Sequence, residues 1–154
     1  MHFTLAQACK LATYRLANLI DERVLIRREC GDDFVTQSPA GLPLALDADD
    51  VAAVCGYADL RRAGYPVKLA GTIMGQLRTA MRANPNAAQL VAVRLENGFF
   101  FTLAVDSIDL SEGYNSGGFV SYAFLFDVRN YRARVQRAIA VNELLAERAE
   151  YVAA

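Results

Sequence analysis

The stretch TLAQACKLATYRLANLIDERVLI, residues 4–26, predicts two short helices joined by a turn. Thr4 is a good N-cap, because its hydroxyl can accept a hydrogen bond from an amide of the first turn. Apolar residues follow it at helical spacing, namely Leu5, Ala8, Cys9 and Leu11. Thr13 can then cap a second helix. The predicted inward face of that helix consists of Leu16, Leu19, Ile20 and the stem of Arg23.

A hairpin is predicted directly after these helices. VLIRREC at 24–30 carries β-branched and apolar residues, GDD at 31–33 is a turn signal, and FVTQS at 34–38 can form the return strand. In this position the hairpin has the character of a wing. The following SPAGLPL, residues 38–44, interrupts regular structure with two prolines and a glycine.

Two longer helices are predicted next. LDADDVAAVCGYADLRRAG can be capped by Asp47, carries acidic residues in its first turn, and ends at Gly64. YPVKLAGTIMGQLRTAMRANPN has Pro66 near its start and is stopped by Pro85. The buried stripe of this second helix is predicted as Leu69, Ile73, Leu77 and Met81.

The C-terminal part changes from helices to strands. QLVAVRL-ENG-FFFTLAV predicts a β-hairpin with Asn97-Gly98 at its turn. A polar loop, a third strand (FVSYAFLFDV) and a helix from Arg129 to about Glu150 follow, the helix with an apolar side of Tyr131, Val135, Ile139, Leu144 and Leu145. The strand aromatics can fill a small core beneath that helix or form a dimer interface, and they are Phe99, Phe100, Phe101, Tyr122, Phe124 and Phe126.

Composition limits the class of protein. The 154 residues are 54% hydrophobic and 21% charged, which is typical of a globular chain. Neither a membrane span nor a signal peptide is evident, so a cytoplasmic protein is expected. The three widely spaced cysteines and one histidine predict no metal site, and the cysteines are interpreted as reduced, small apolar residues. The net charge of −1 argues against a generic polyanion binder.

Motifs for catalysis are missing from the sequence. It contains no nucleophile elbow, P-loop or dinucleotide fingerprint. GYNSGG at 113–118 is glycine-rich, but it lacks the lysine and the strand–loop–helix setting of a phosphate-binding loop. We therefore expect no enzyme and no cofactor.

The order FTLAQACKLA, LIDERVLIRR, hairpin and LDADDVAAVCGYADLRRAGYPVKLAGTI resembles the MerR-like winged helix-turn-helix family over residues 3 to about 80. That family opens its first helix with a pattern like FTLAQA, and its third helix ends in a motif like DLRRAG. Its first turn usually reads Gly-Val-Ser, where this chain has Ala12-Thr13-Tyr14. The resemblance implies a DNA-binding domain with a recognition helix and a wing.

The resemblance also implies which residues contact DNA: Thr13, Tyr14, Arg15, Asn18, Arg27, Arg28, Arg61, Arg62 and Lys68. The first four lie on or near the start of the recognition helix, where arginine can pair with guanine and asparagine with adenine. The two wing arginines would contact phosphate or the minor groove. The last three bracket the turn between the third and fourth helices, where the family makes a second backbone contact. The alternative is a solvated surface for seven of them and, for Arg27 and Arg28, charges at a strand edge that resist aggregation.

The sequence thus predicts an α+β fold, with a MerR-like winged helix-turn-helix at 1–84. A three-stranded antiparallel sheet with a long C-terminal helix is predicted at 85–154. The expected function is sequence-specific binding of promoter DNA by a bacterial or phage-type transcriptional regulator, as a homodimer, with RNA polymerase or a second regulator as a further partner. Two alternatives stay open: an excisionase-like architectural factor that bends DNA, and an interaction adaptor that has lost DNA binding.

Overall fold

A computed structural model describes residues 2–22, 45–96, 100–104 and 120–153, with the backbone alone at 100–104. The elements in this part of the chain are α1 (Leu5–Ala12), α2 (16–22), α3 (Ala48–Arg62), α4 (Val67–Ala83), β1 (Leu90–Leu95), β2 (Phe100–Ala104), β3 (Val120–Phe126) and α5 (Val128–Ala153). The predicted wing at 24–38 and the predicted Asn97-Gly98 turn lie outside the described residues.

Two helix starts are capped as the sequence predicts. The Thr4 hydroxyl accepts from the Gln7 amide at 3.2 Å, while the Gln7 side chain accepts from the Thr4 amide at 2.8 Å. Asp47 and Asp50 form the same reciprocal pair at the start of α3, with both distances 2.9 Å. Each capping box satisfies amides that have no partner inside the helix, so the two helices begin at defined residues.

The turn between α1 and α2 is built differently from the prediction. Thr13 adopts a left-handed conformation, with φ 53° and ψ 46°, and ends α1. The Tyr14 amide donates to the Cys9 carbonyl at 2.9 Å, which closes the last turn of α1. The expectation that Thr13 caps α2 is therefore wrong, since α2 begins only at residue 16, with the Arg15 carbonyl accepting from the Leu19 amide at 3.2 Å.

Helix α3 lies at the centre of the molecule. Every residue from Val51 to Ala58 is buried, so this helix needs neighbours on all sides. Helices α1, α4 and α5 pack against it, and one hydrophobic core extends from Phe3 to Val135. Phe3 also pairs with Leu46 through two backbone hydrogen bonds of 2.8 and 2.9 Å, which bring the chain before α1 against the chain before α3.

The fold class predicted from the sequence is wrong. In the described residues the molecule is a largely helical α+β structure, in which the sheet and the C-terminal helix do not form a unit apart from the N-terminal helices. The first part of α5 completes the burial of α3 through Tyr131 and Val135, and Phe126 reaches the same core. Residues on both sides of Asn84 therefore share one core, because α3 is too apolar all round to be covered by α1 and α4 alone.

The sheet is small and lies beside α4. Its strand order is β2-β1-β3, and both pairings are antiparallel. β1 and β3 are the pair whose side chains are described, with Leu90 opposite Phe126 and a register shift between Arg94 and Leu95. Leu90 faces the main core, whereas Val91 and Val93 form a second cluster on the other face.

Several predicted core faces are less buried than expected. On α2 only Leu19 is buried, while Leu16 and Ile20 are 36% and 38% exposed. On β3 Phe126 is buried but Tyr122 is 44% exposed, and the side chains of Phe99 to Phe101 lie outside the described set. On α5 the exposed members are Leu144 and Leu145. The predicted stripe of α4 is correct for Ile73, Leu77 and Met81, and Leu69 is partly buried.

Candidate nucleic-acid interface

Helix α2 is attached to α3 through the carboxylate of Glu22. The Tyr14 hydroxyl donates to Glu22 Oε2 at 2.7 Å and the Tyr57 hydroxyl donates to the same atom at 2.5 Å. Arg61 donates to Glu22 Oε1 from Nε at 3.2 Å and from Nη2 at 2.9 Å. The two tyrosine rings also meet edge to face, with centroids 5.8 Å apart. These contacts fix the orientation of α2 relative to the core, and we call the four residues the Glu22 cluster.

The charges of the Glu22 cluster are mutually satisfied. Burial acts to raise the pKa of the Glu22 carboxyl, but the hydrogen bonds from Arg61 and the two tyrosines outweigh it and bring the pKa below its ordinary value of 4.5. Burial, together with the neighbouring carboxylate, raises the pKa of Tyr14 to about 12 and raises the pKa of Tyr57 further. Glu22 therefore stays ionised and both phenols stay neutral at pH 7, which suits a positioning role.

Arg62 holds the turn itself. Its Nη1 donates to the carbonyls of Ala12 and Thr13, at 2.8 and 3.0 Å, and its Nη2 pairs with Asp59. Asp59 also accepts a 2.5 Å hydrogen bond from the Tyr131 hydroxyl. The turn between α1 and α2 is thus connected through α3 to α5.

Arg15 and Asn18 have a different surrounding. Both are exposed: Arg15 directly precedes α2, and Asn18 lies in its first turn. Their guanidinium and carboxamide groups are the two that pair most specifically with guanine and adenine in the major groove. Since the Glu22 cluster and Arg62 fix α2 and the turn before it, these two side chains are presented from a defined backbone.

The other predicted contact residues divide into three groups. Tyr14, Arg61 and Arg62 have their polar groups engaged inside the protein, as described above. Thr13 is exposed at the turn, and Lys68 is exposed in the first turn of α4. Arg27 and Arg28 lie outside the described residues.

Sequence reasoning did not single out Glu22, Tyr57, Asp59 or Tyr131 as polar partners. Glu22 and Tyr57 are 35 residues apart, and Asp59 and Tyr131 are 72 apart, so no local spacing links them. One signal was available in α3: Tyr57 is a hydroxyl-bearing residue inside an otherwise apolar run, and a buried tyrosine hydroxyl needs a partner.

Metal binding and membrane insertion find no support in the described part of the chain. No three histidine, cysteine, aspartate or glutamate side chains come together there as metal ligands would. Cys9 and Cys55 are buried, and burial raises the pKa of each thiol to about 11, so both remain protonated. None of the helices in those residues is both long and apolar enough to cross a bilayer.

Comparison with known proteins gives no relative. No protein-family model matches the chain, and no curated protein or solved structure shows a significant match to it. The MerR-like resemblance thus rests on the sequence pattern alone and stays a prediction.

Proposed function

We propose that the protein binds double-stranded DNA sequence-specifically and regulates transcription, in the cytoplasm of a bacterium or on behalf of a phage, without a cofactor. The observation that carries this proposal is the pair Arg15 and Asn18, exposed at the start of a helix that the Glu22 cluster attaches to α3. A base-reading helix needs such rigidity, because the direction of each hydrogen bond to a base edge sets its specificity.

The charge of the protein is consistent with sequence-specific DNA binding to which non-specific electrostatic attraction contributes little. The net charge is −1, and Arg61 and Arg62 are each paired with a carboxylate. Non-specific attraction to phosphates is correspondingly small, so affinity has to come from base contacts together with a few phosphate contacts. Lys68 and the Thr13 hydroxyl are exposed candidates for the phosphate contacts.

The proposed binding unit is a homodimer formed through the end of α5. Beyond Asn142 every described residue of α5 is exposed, and four large apolar side chains there are 57–87% exposed, namely Leu144, Leu145, Tyr151 and Val152. A helical segment of this length is only marginally stable in water, so packing against a second copy would stabilise it. Two-fold symmetry would present two α2 helices to a two-fold-related DNA site.

The decisive experiment is selection of bound sequences from a pool of random double-stranded DNA. The full chain is compared with Arg15→Ala/Asn18→Ala and with a matched control, Arg129→Ala/Asn130→Ala, which removes the same two exposed side-chain types from α5. We expect a shared motif with the wild type and the control. The α2 variant should lose it, because each lost base contact costs about 1–3 kcal/mol, roughly 5- to 150-fold in affinity.

Two results would contradict the proposal. Equal enrichment by the wild type and the α2 variant would exclude α2 as the reading helix, and no enrichment at all would favour the interaction adaptor. Sedimentation of the complex with the selected DNA should give two protomers per site, and a bent duplex bound cooperatively along its length would favour the excisionase-like alternative. Thermal unfolding of both variants serves as the folding check, since all four residues are exposed.

A further inference from the structure

A groove between α1 and α5 has no role in the proposed function. Its volume is about 510 Å³. This lies within the range of roughly 300–1,000 Å³ that is common for small-molecule sites. The apolar part of its lining comes from Phe3, Leu11, Ala138 and Val141. Phe3 is buried and anchored by its pairing with Leu46, so this wall is preformed.

The polar part of the groove is cationic. Lys10, Arg134 and Arg137 line it together with the neutral side chains of Gln7 and Asn142, and no carboxylate belongs to its described lining. Arg134, Arg137 and Val141 recur at three- and four-residue spacing, so α5 presents its cations and its apolar side chain to one side. Three like charges around one cavity repel each other, and an anion placed between them would relieve that repulsion.

Two of these three cations, Lys10 and Arg134, stabilise the end of α1, whereas Arg137 has no such structural role. Arg134 donates to the Leu11 carbonyl, and Lys10 lies in the last turn of α1, so both complement the negative end of that helix. Arg137 makes neither an ion pair nor a hydrogen bond to any of the residues that the structure describes. Arg134 is thereby held at the wall, while Arg137 and Lys10 have their charges available to a bound anion.

We propose that this groove binds a small amphiphilic anion, with its charged head between Lys10, Arg134 and Arg137 and its apolar body against Leu11, Ala138 and Val141. The anionic head is required by the three cations, and the apolar body is required by the carbon surface beside them. A phosphate or chloride ion alone would leave that apolar wall in contact with water. The site is independent of the DNA-reading side chains of α2.

Decanoate is the probe that we would titrate into the full-length protein by isothermal calorimetry, with acetate and decan-1-ol as matched controls. Acetate supplies the charge without the apolar body, and decan-1-ol supplies the body without the charge. We expect decanoate to bind at least about tenfold more tightly than either control, since a charge-assisted hydrogen bond and apolar burial each contribute that much or more.

Substitutions of residues inside and outside the groove test whether decanoate binds there. Arg137→Gln should weaken decanoate binding by about tenfold, and Val141→Asp should abolish it by placing a negative charge in the groove. Arg129→Gln, an exposed arginine at the start of the same helix and outside the groove, is the control and should leave the affinity unchanged. Both groove residues are exposed, so folding should be retained in the variants.

The inference is overturned by any of four results: no heat of binding with decanoate, equal affinity for decan-1-ol, equal loss in Arg129→Gln, or no effect of Arg137→Gln. Binding of an acidic amphipathic peptide in place of decanoate, with the same dependence on Arg137, would assign the groove to a protein partner instead. The DNA selection with Arg15→Ala/Asn18→Ala is a separate measurement, so its outcome and the outcome here can differ.

Discussion

Thr13 is the residue with the least favourable backbone in the described chain. It is the one non-glycine residue there with positive φ, at 53°, and its β-branched side chain is poorly suited to that conformation. Helices commonly end with glycine at such a position.

Replacing Thr13 by glycine should therefore stabilise the protein. We expect Thr13→Gly to raise the free energy of unfolding by about 0.5–1 kcal/mol, because relief of the left-handed strain exceeds the extra flexibility of glycine in the unfolded chain. Urea unfolding followed by circular dichroism measures the change. The reverse substitution is the control: Gly64 has φ 90° with nothing near its missing Cβ, so Gly64→Ala should cost about 1 kcal/mol through strain alone. A less stable Thr13→Gly protein would contradict the argument.

For single residues, the sequence predicts which side chains cap helix N-termini, but it does not predict the backbone conformation of the turn at Thr13. Thr4 and Asp47 have side chains that bond to nearby amides, and such bonds follow from residue type and spacing. The conformation of Thr13 does not follow, since threonine favours extended or helical backbone. Its left-handed state is imposed by the packing of α1 and α2 on α3 and by Arg62, which comes 49 residues later.

At the scale of elements, contacts from distant residues attach each helix to its neighbours. Arg132 of α5 donates to the carbonyl of Met81, in the last turn of α4, at 3.0 Å and to the carbonyl of Ala87, beyond that helix, at 2.9 Å. Asp50 of α3 pairs with Arg78 of α4 at 2.5 Å. The helix starts were predictable from local signals, but these attachments were not, because the partners lie 28 to 51 residues apart.

Removing the charge of Glu22 should loosen α2. We expect Glu22→Gln to lower the free energy of unfolding at pH 7 by about 1–3 kcal/mol, because the amide cannot accept from Tyr14, Tyr57 and Arg61 as an anion does. Urea unfolding measures the loss, and hydrogen exchange of the α2 amides should quicken with it. Glu147→Gln, an exposed glutamate on α5, is the control and should change the stability by less than about 0.5 kcal/mol.

The effect of Glu22→Gln on the free energy of unfolding should depend on pH, and the pKa of Glu22 sets the direction of that dependence. The pKa of Glu22 is lowered on folding, so its contribution is fully present above about pH 4.5 and is lost as the pH falls through its folded value. The stability difference between the wild type and Glu22→Gln should therefore shrink as the pH falls below about 4.5. The pKa of Asp47 is lowered on folding and that of Asp50 is raised. Both residues are present in the wild type and in the variant, so their contributions to the pH dependence of stability cancel in the difference. A difference that stays constant down to pH 2 would contradict the prediction.

For the whole molecule, the shared core makes the halves depend on each other. A fragment of residues 1–84 would leave α3 without Phe126, Tyr131 and Val135, and would leave α4 without β1. Truncating a single large buried side chain costs about 2–5 kcal/mol, and whole domains are stable by only about 5–15 kcal/mol. We expect this fragment to show no cooperative thermal transition by circular dichroism, whereas the full chain does. A cooperative transition in the fragment would contradict the view that the halves share one core.

The sequence was informative about helices and less so about their arrangement. The periodic stripe of α4 and the apolar α3 were evident, and so was the antiparallel pairing of the β1 and β2 segments. The docking of α5 on α3 could not be read from its pattern, because Tyr131 and Val135 would fit a separate core equally well. The exposed pair Arg15 and Asn18 was predictable from residue type, whereas the contacts of the Glu22 cluster could be seen only in the folded structure.

The dependence of α3 on α5 has a consequence during synthesis. The chain is made from its N-terminus, and Asp59 precedes its partner Tyr131 by 72 residues. At about 5–20 residues per second the ribosome needs roughly 4–14 s to make that interval. Throughout it the nascent chain carries an apolar helix with one side uncovered, which is the kind of surface that ribosome-bound chaperones recognise. Folding of the N-terminal helices is completed only after α5 has left the exit tunnel, so the rate of translation between α3 and α5 sets how long that surface is exposed.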